Sequence, residues 1–403
     1  MSWYLTLSMG GALICAVFAA TSIASALARK GFPLPPEGRR IGCVDGLRGY
    51  LALAVVAHHF IIWIQVFRLG GDWSAPAVNL FNQLGAGAVA LFFMTTGLVF
   101  YPTILKGFRA TSWPSVFIGR VFRIIPLVLF SVVVITILIM VRTGETPGHD
   151  YPLAAAKWIT AWSQPPLLGY PESGRLNAHV LWTLNLEWIF YLVVLPVCAL
   201  LADLGRGRWP SWWLPVAVLF VSIASRAMQI PVIGSRYLPL FAIGMLAFEV
   251  QNRPWLAERL RHPAVGAAAV LALGVAACGF QYPYSFALPF FAFFFVCVAC
   301  GNSVFGLLTK RGALVLGECS FGIYLLHGIA LALVFTEGAD VVALIATPWL
   351  PLLLLPVVLA VVLVTPLTFL VIEKPAMKFG RDLAQRWKAR GSRAVAGPLN
   401  VEP

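Results

Sequence analysis

Eleven apolar stretches, near 3–28, 47–67, 82–102, 121–141, 180–202, 210–225, 237–250, 264–280, 284–300, 313–335 and 349–372, follow one another along the chain. A run of about 20 apolar residues is long enough to cross the hydrocarbon core of a bilayer as a helix, which satisfies its own backbone hydrogen bonds there. The pattern predicts an all-α polytopic transmembrane helical bundle, with about ten core helices and one extra N-terminal helix. Composition agrees, since 60% of the residues are hydrophobic and 11% charged, against about 25% charged in soluble domains. Residues 1–40 read as the extra helix and a linker, 41–380 as the membrane domain, and 381–403 as a basic tail.

An odd number of crossings places the termini on opposite sides. With the N-terminus outside, the segments facing the cytoplasm hold 23 of the 29 Lys and Arg residues, the asymmetry expected of cytoplasmic loops. The chain is therefore expected to be a multi-pass protein of the cell inner (plasma) membrane with a cytoplasmic C-terminus. Its net charge of +13 suits anionic lipid head groups or an anionic cytosolic substrate. Nucleic acid is not an expected partner, because no soluble basic domain exists. The first span lacks a basic segment before it, and Arg29, Lys30, Arg39 and Arg40 follow it, so it reads as a retained anchor. Seven cysteines, six of them in or beside apolar spans, give no disulfide framework. Cys297 and Cys300 share a helix face without nearby His or carboxylate residues, and no metal is expected. The long connection 142–179 on the outer side contains LAAAKWITAW (153–162), which reads as an interfacial helix.

Within the second stretch, DGLRGYLALAVVAHHF (45–60) places Arg48 and His59 eleven positions apart. Eleven helical steps return to within about 20° of the same face and span about 16 Å. One cation thus lies at the membrane boundary with one imidazole deep beneath it. Ionisable groups at such depth cost about 2.5–3.5 kcal/mol on insertion scales and mark functional sites. A neutral imidazole is also the usual general base for a hydroxyl nucleophile at neutral pH. His58 points about 100° away and is expected to serve packing. Asp45 is placed to cap the first turn. An inside-positive anchor for Arg48 and an interhelical hydrogen bond for His59 are the structural alternatives.

Other polar residues recur at matching depth. Arg120 and Arg123 in GRVFRIIP (119–126) share a face and form a fork suited to phosphate or pyrophosphate, although juxtamembrane arginines also set topology. Glu187 in LWTLNLEWIFYLV (181–193) requires a partner, and Thr183 and Tyr191 lie one turn to either side. His327 in GECSFGIYLLHG (317–328) lies past the midplane, with Glu318 near the start of its span. Gly85, Gly87, Ala88 and Gly97 permit close helix approach, and Thr95 and Thr96 offer hydroxyls to a substrate or to packing. In IEKPAMKF (372–379), Pro375 reads as a helix stop.

DGLRG with His59, FFMTTGL, the Arg-x-x-Arg pair, LWTLNLEWIFYL, SFGIYLLH and the closing EKP occur in the order seen in the type-3 acyltransferase family of integral membrane proteins. The chain resembles that family over about residues 41–380. Two mild departures are Thr96 where the family usually has Ser and Phe321 where it has Tyr. The span before residue 30 is additional to the family's usual ten, and no extracytoplasmic esterase-like domain is expected to be fused.

The resemblance implies an integral membrane O-acyltransferase. Such a protein moves an acyl group, acetyl by default, from cytoplasmic acyl-coenzyme A to a hydroxyl of a carbohydrate, glycolipid or small acceptor. Matching by motif puts the family's essential Arg and His on Arg48 and His59 and its Arg pair on Arg120 and Arg123, while the residue-level reading has Glu187 orienting an imidazole or binding acceptor. Coenzyme A falls to Arg48, Arg120 and Arg123, and substrate contacts to His327, Thr96 and Tyr191. The alternative is a transporter or flippase that uses the same intramembrane His, Glu and Arg; the absence of internal repeats weighs against it.

Overall fold

The computed structural model describes residues 3–36, 38, 40–230, 234 and 236–395. Its helices begin with α1 (Trp3–Arg29), α2 (Gly42–Arg68), α3 (Asn79–Lys106) and α4 (Trp113–Thr143). Next come α5 (Tyr151–Ile159), α6 (Leu181–Gly205), α7 (Trp213–Ala227) and α8 (Leu238–Gln251). The other α-helices of more than six residues are α9 (Pro254–Arg261), α10 (Pro263–Gly279), α11 (Leu288–Ala299), α12 (Arg311–Glu318), α13 (Ser320–Ala332), α14 (Leu354–Thr368) and α15 (Lys374–Val395). Among the described residues the one β feature is an isolated bridge between Leu167 and Tyr170. Each of the eleven apolar stretches holds a helix. Seven helical runs are long and apolar enough to cross a membrane. Helices α9 and α10, bent by 73°, make an eighth if they are one span, and α7, α8 and α11 are shorter. The protein is a polytopic helical bundle.

Helix α2 is central: 67% of its apolar window is buried, against 22% for α1. Helix α1 buries only the stripe Leu5, Met9, Ala12, Ala16, Ala20 and Ala24, whose spacing of three or four residues gives one narrow face, as on a helix packed at an edge. It lies against α12 and α14. Helix α3 sits between α2 and α8. A Cβ at Gly97 would come 2.1 Å from the Phe241 carbonyl oxygen, and one at Gly244 would come 1.9 Å from that of Met94. Glycine at both positions lets the two backbones touch, as expected for Gly97.

Local structure departs from the sequence reading at three places. Asp45 does not cap α2. The helix starts earlier, after Ile41, and Asp45 sits inside the first turn as a 3.7 Å ion-pair partner of Arg48. Pro375 does not stop the last span either. It lies inside a helix that runs on without a break from α14 through the π turn at Phe369–Glu373, where the loosened ladder takes up the bond its missing N–H cannot make, and the helix continues to Val395. Residues 396–403 of the expected tail, and Arg39, lie outside the described residues. The expected interfacial helix starts earlier and ends at Ile159, because Ala161 turns left-handed at φ 54°. Its Trp158 is fully buried and donates from Nε1 to the Pro165 carbonyl at 2.8 Å, so α5 packs onto the bundle.

Among the described residues three π-helical turns interrupt the spans, at Phe190–Val194, Leu333–Glu337 and Phe369–Glu373. Such a turn rotates the residues after it off the face that α-helical spacing assigns them. Each of the three holds a polar residue with a long-range or intrahelical partner: Tyr191, Glu337 and Glu373.

Candidate active site

Helices α2 and α13 bring His59 and His327 together. His59 Nδ1 lies 3.0 Å from His327 Nε2 and 3.1 Å from the Val55 carbonyl oxygen one turn back. His327 is completely buried, and its Nδ1 lies 3.1 Å from the Ile323 carbonyl. A carbonyl can only accept, so in the neutral pair the His327 proton sits on Nδ1 and its Nε2 carries a lone pair. That lone pair in turn accepts from His59 Nδ1–H. The assignment leaves His59 Nε2 as the unprotonated nitrogen, and it has no hydrogen-bond partner among the described residues. His59 keeps part of its surface open. His58 has a separate place, with Nδ1 3.0 Å from the Phe81 carbonyl. Its ring fills the space left by Gly85, where a Cβ would come 2.5 Å from it.

A cavity of about 80 Å³ separates this pair from Arg48, with Arg48, Phe92, Thr183, Glu187, Ser320 and Tyr324 among its walls. That volume admits a few waters. Tyr324 forms the end nearer the histidines, its ring centroid 6.2 Å from that of His327. Its hydroxyl is 2.8 Å from Thr183 Oγ1 and donates to the Val180 carbonyl at 3.2 Å. Ser320 Oγ is buried without a hydrogen-bond partner. Arg48 and Glu187 thus share one cavity with the hydroxyls of Thr183, Ser320 and Tyr324, and the two imidazoles, outside its lining, continue the column past Tyr324.

Glu187 is not the group that orients His59. It accepts a 2.9 Å hydrogen bond from the Tyr191 hydroxyl, and His327 takes the place at the imidazole. Thr96 donates to its own helix at the Phe92 carbonyl, 3.2 Å away, and the cavity wall does not include it.

The arginine pair is divided. The Arg120 guanidinium lies 5.0 Å from the centre of the Phe100 ring and 5.7 Å from that of Tyr191, within range of cation–π attraction. Arg123 Nη1 is 3.0 Å from Glu373 Oε2, and its guanidinium is 5.5 Å from the Phe321 ring centre. Glu373 is 1% exposed, and its second oxygen, Oε1, has no hydrogen-bond partner. Arg40 pairs with Glu318 beside them. Sequence reading gave EKP no role. The signal for Glu373 is a carboxylate at the end of an apolar run, which requires a cation nearby.

Beyond His59, away from Arg48, Trp73 stacks on the imidazole at 6.4 Å with 22° between planes. Trp73 meets Trp63 edge-on at 5.3 Å and His179 at 5.7 Å. Ala178 and His179 are both left-handed, at φ 55° and 54°, a conformation that costs roughly 1–2 kcal/mol per non-glycine residue. The turn is fixed by Ala178 N–H donating to the Arg175 carbonyl at 2.9 Å and His179 N–H to that of Gly174 at 2.8 Å. Burial, then the nearby Arg175 charge, holds the His179 imidazole below its ordinary range. Neither Trp73 nor His179 has a periodicity in the sequence that would single it out, since both sit in connectors.

A membrane bundle with a buried basic nitrogen, hydroxyl groups and arginines in one column is the setting of an intramembrane transferase. The chain belongs to the type-3 acyltransferase family, whose model, an acyltransferase domain, matches residues 41–372. Nodulation protein 10 of Rhizobium leguminosarum bv. viciae is 27% identical over 390 residues, covering 85% of this chain and 95% of that protein. No solved structure matches the chain. The protein is accordingly a multi-pass membrane acyltransferase.

Proposed function

We propose that the protein takes an acyl group, acetyl by default, from cytoplasmic acyl-coenzyme A. It places that group on a hydroxyl of a carbohydrate, glycolipid or small acceptor reaching the opposite end of the bundle. The observation that carries this reading is the hydrogen-bonded pair His59–His327, which leaves His59 Nε2 unprotonated and unpartnered in a column that starts at Arg48. On this reading the protein lies in the cell inner membrane with its C-terminus cytoplasmic. The donor enters beside Arg48, with Arg120 and Arg123 close by, and its thioester comes to rest past Tyr324.

His59 Nε2 takes the proton of the acceptor hydroxyl as that oxygen forms a bond to the thioester carbonyl carbon. The resulting imidazolium keeps Nδ1–H on His327 Nε2 and the Val55 carbonyl, so its orientation does not change. The tetrahedral adduct then collapses, the carbon–sulfur bond breaks, and the departing thiolate takes the proton from His59 Nε2 to give coenzyme A and the acyl ester. Holding both reactants in a water-poor bundle supplies proximity, and general-base catalysis contributes about 10²–10⁴-fold.

The test is transfer of radiolabelled acetyl from acetyl-coenzyme A to cell-envelope glycans by the purified protein in nanodiscs. Wild type is expected to label the acceptor, and His59→Ala to lose about 10²–10⁴ of that rate while remaining folded. Full activity in folded His59→Ala removes the assignment. A wild type that turns over no acyl-coenzyme A removes the donor and favours solute movement by the same residues.

A further inference from the structure

The arginine pair is already engaged within the protein: Arg123 by buried Glu373, Arg120 by the faces of Phe100 and Tyr191. The small cavity beyond them has room for a few waters only. A donor with a phosphorylated nucleotide at one end therefore needs a second recess, and the bundle has one. An open groove of about 960 Å³ lies where the end of α3, the first turn of α4 and α15 meet. Thr103, Lys106, Ser112, Ser115, Trp387 and Lys388 are among its walls. Its size is at the upper end of the range of about 300–1,000 Å³ typical of small-molecule sites.

We propose, building on the acyl-coenzyme A reading above, that this groove holds the nucleotide end of coenzyme A. Trp387 is 55% exposed and offers an indole face on which the adenine can stack. Lys106 and Lys388 supply cations for the phosphates. Ser112 and Ser115, whose hydroxyls are 2.9 Å apart, add donors at the start of α4. Helix α4 leads from the groove toward the reaction column. Eight residues separate Ser112 from Arg120, about 12 Å along α4. The Arg120 guanidinium lies over Tyr191, whose hydroxyl donates to Glu187 in the cavity wall. Trp387 and Lys388 lie beyond the segment 41–372 matched by the family, so this chain's own terminal helix completes the donor site.

A lipid head group presents the same phosphate chemistry, and the experiment separates the two sources. The full-length protein is placed in nanodiscs of phosphatidylcholine alone and of phosphatidylcholine with phosphatidylglycerol. The quantity read is the ratio of kcat/KM for acetyl-coenzyme A to that for acetyl-pantetheine, which lacks the nucleotide. Both wild type and the double variant Lys106→Ala/Lys388→Ala are measured, with Trp387→Ala as a second variant. The ratio is expected to fall at least about tenfold in the double variant in both lipids, the loss of one or two charge-assisted hydrogen bonds, and several-fold in Trp387→Ala. An unchanged ratio overturns the proposal. A loss confined to anionic nanodiscs and equal for the two donors assigns the groove to lipid and also overturns it. Wild type that uses neither donor refutes the acyl-coenzyme A reading itself, a result distinct from failure of the groove.

Discussion

Around Arg48 the side chains are charged and matched: Asp45 faces Arg48, Glu318 pairs with Arg40, and Glu373 with Arg123. Around His59 the partners are imidazoles, indoles and backbone carbonyls, and no carboxylate bonds either histidine among the described residues. The difference separates holding from reacting. Ion pairs inside a low-dielectric bundle fix the position of guanidiniums that would otherwise be costly to bury. A base works by a different rule. A carboxylate on His59 would stabilise its protonated form, whereas a neutral imidazole orients Nδ1 without adding that stabilisation, so the proton passes on to the leaving thiolate readily.

If the charged half is held by pairing, removing one partner is the largest perturbation available there. Glu373→Leu strands Arg123 against the apolar end of the last span, and breaking a buried pair costs about 3–5 kcal/mol. The midpoint of thermal unfolding in detergent is expected to fall sharply. Arg123→Leu/Glu373→Leu is expected to recover most of the loss, since neither charge remains unpaired. A double variant whose loss equals the sum of the two singles would show that the pair is incidental.

The imidazole half is probed at the positioning residue. His327→Ala removes the acceptor of His59 Nδ1–H, and kcat is expected to drop by about tenfold with KM for the acceptor little changed. In His327→Gln an amide oxygen can take that hydrogen bond, and most of kcat is expected to return. A histidine that served packing alone would lower folded yield in both variants and leave kcat per folded molecule unchanged.

Much of this contrast is legible in the sequence, and the rest is hidden for physical reasons. Apolar runs of spanning length locate the helices because a bilayer permits little else. Arg48 and His59 are legible as a pair because α2 is an uninterrupted helix from Gly42 to Arg68 and the arithmetic of 100° per residue holds along it. That arithmetic fails at π turns, and Glu373 closes one. The partner of His59 lies 268 residues away, a distance over which only similar depth in the membrane gave a hint. Depth also suggested Glu187 as that partner, but depth carries no information about which face of α6 turns toward α2. Trp73 and His179 come from connectors, whose conformation depends on turns such as Ala178–His179 that have no periodic signature.

The smallest effect lies at the edge of the imidazole half, where the His179 ring is open to solvent on one side and covered on the other by Gly174 and Trp73. Its imidazole is held below its ordinary range, near 6.5, by burial first and Arg175 second, so the folded protein keeps it neutral at a pH where an unfolded chain has begun to protonate it. Below about pH 6.5 the unfolded state therefore binds more protons than the folded one. Stability is full above that pH and declines as pH falls toward the depressed value. Thermal midpoints of the protein in nanodiscs at about pH 7.5, 6.5 and 5.5 are expected to decline more steeply for wild type than for His179→Gln, which keeps a polar side chain but cannot titrate. Because the ring is exposed, solvent screening keeps the difference to a fraction of the Glu373 effect. Parallel slopes for the two proteins would show that His179 titrates alike in both states, and the imidazole half would then end at Trp73.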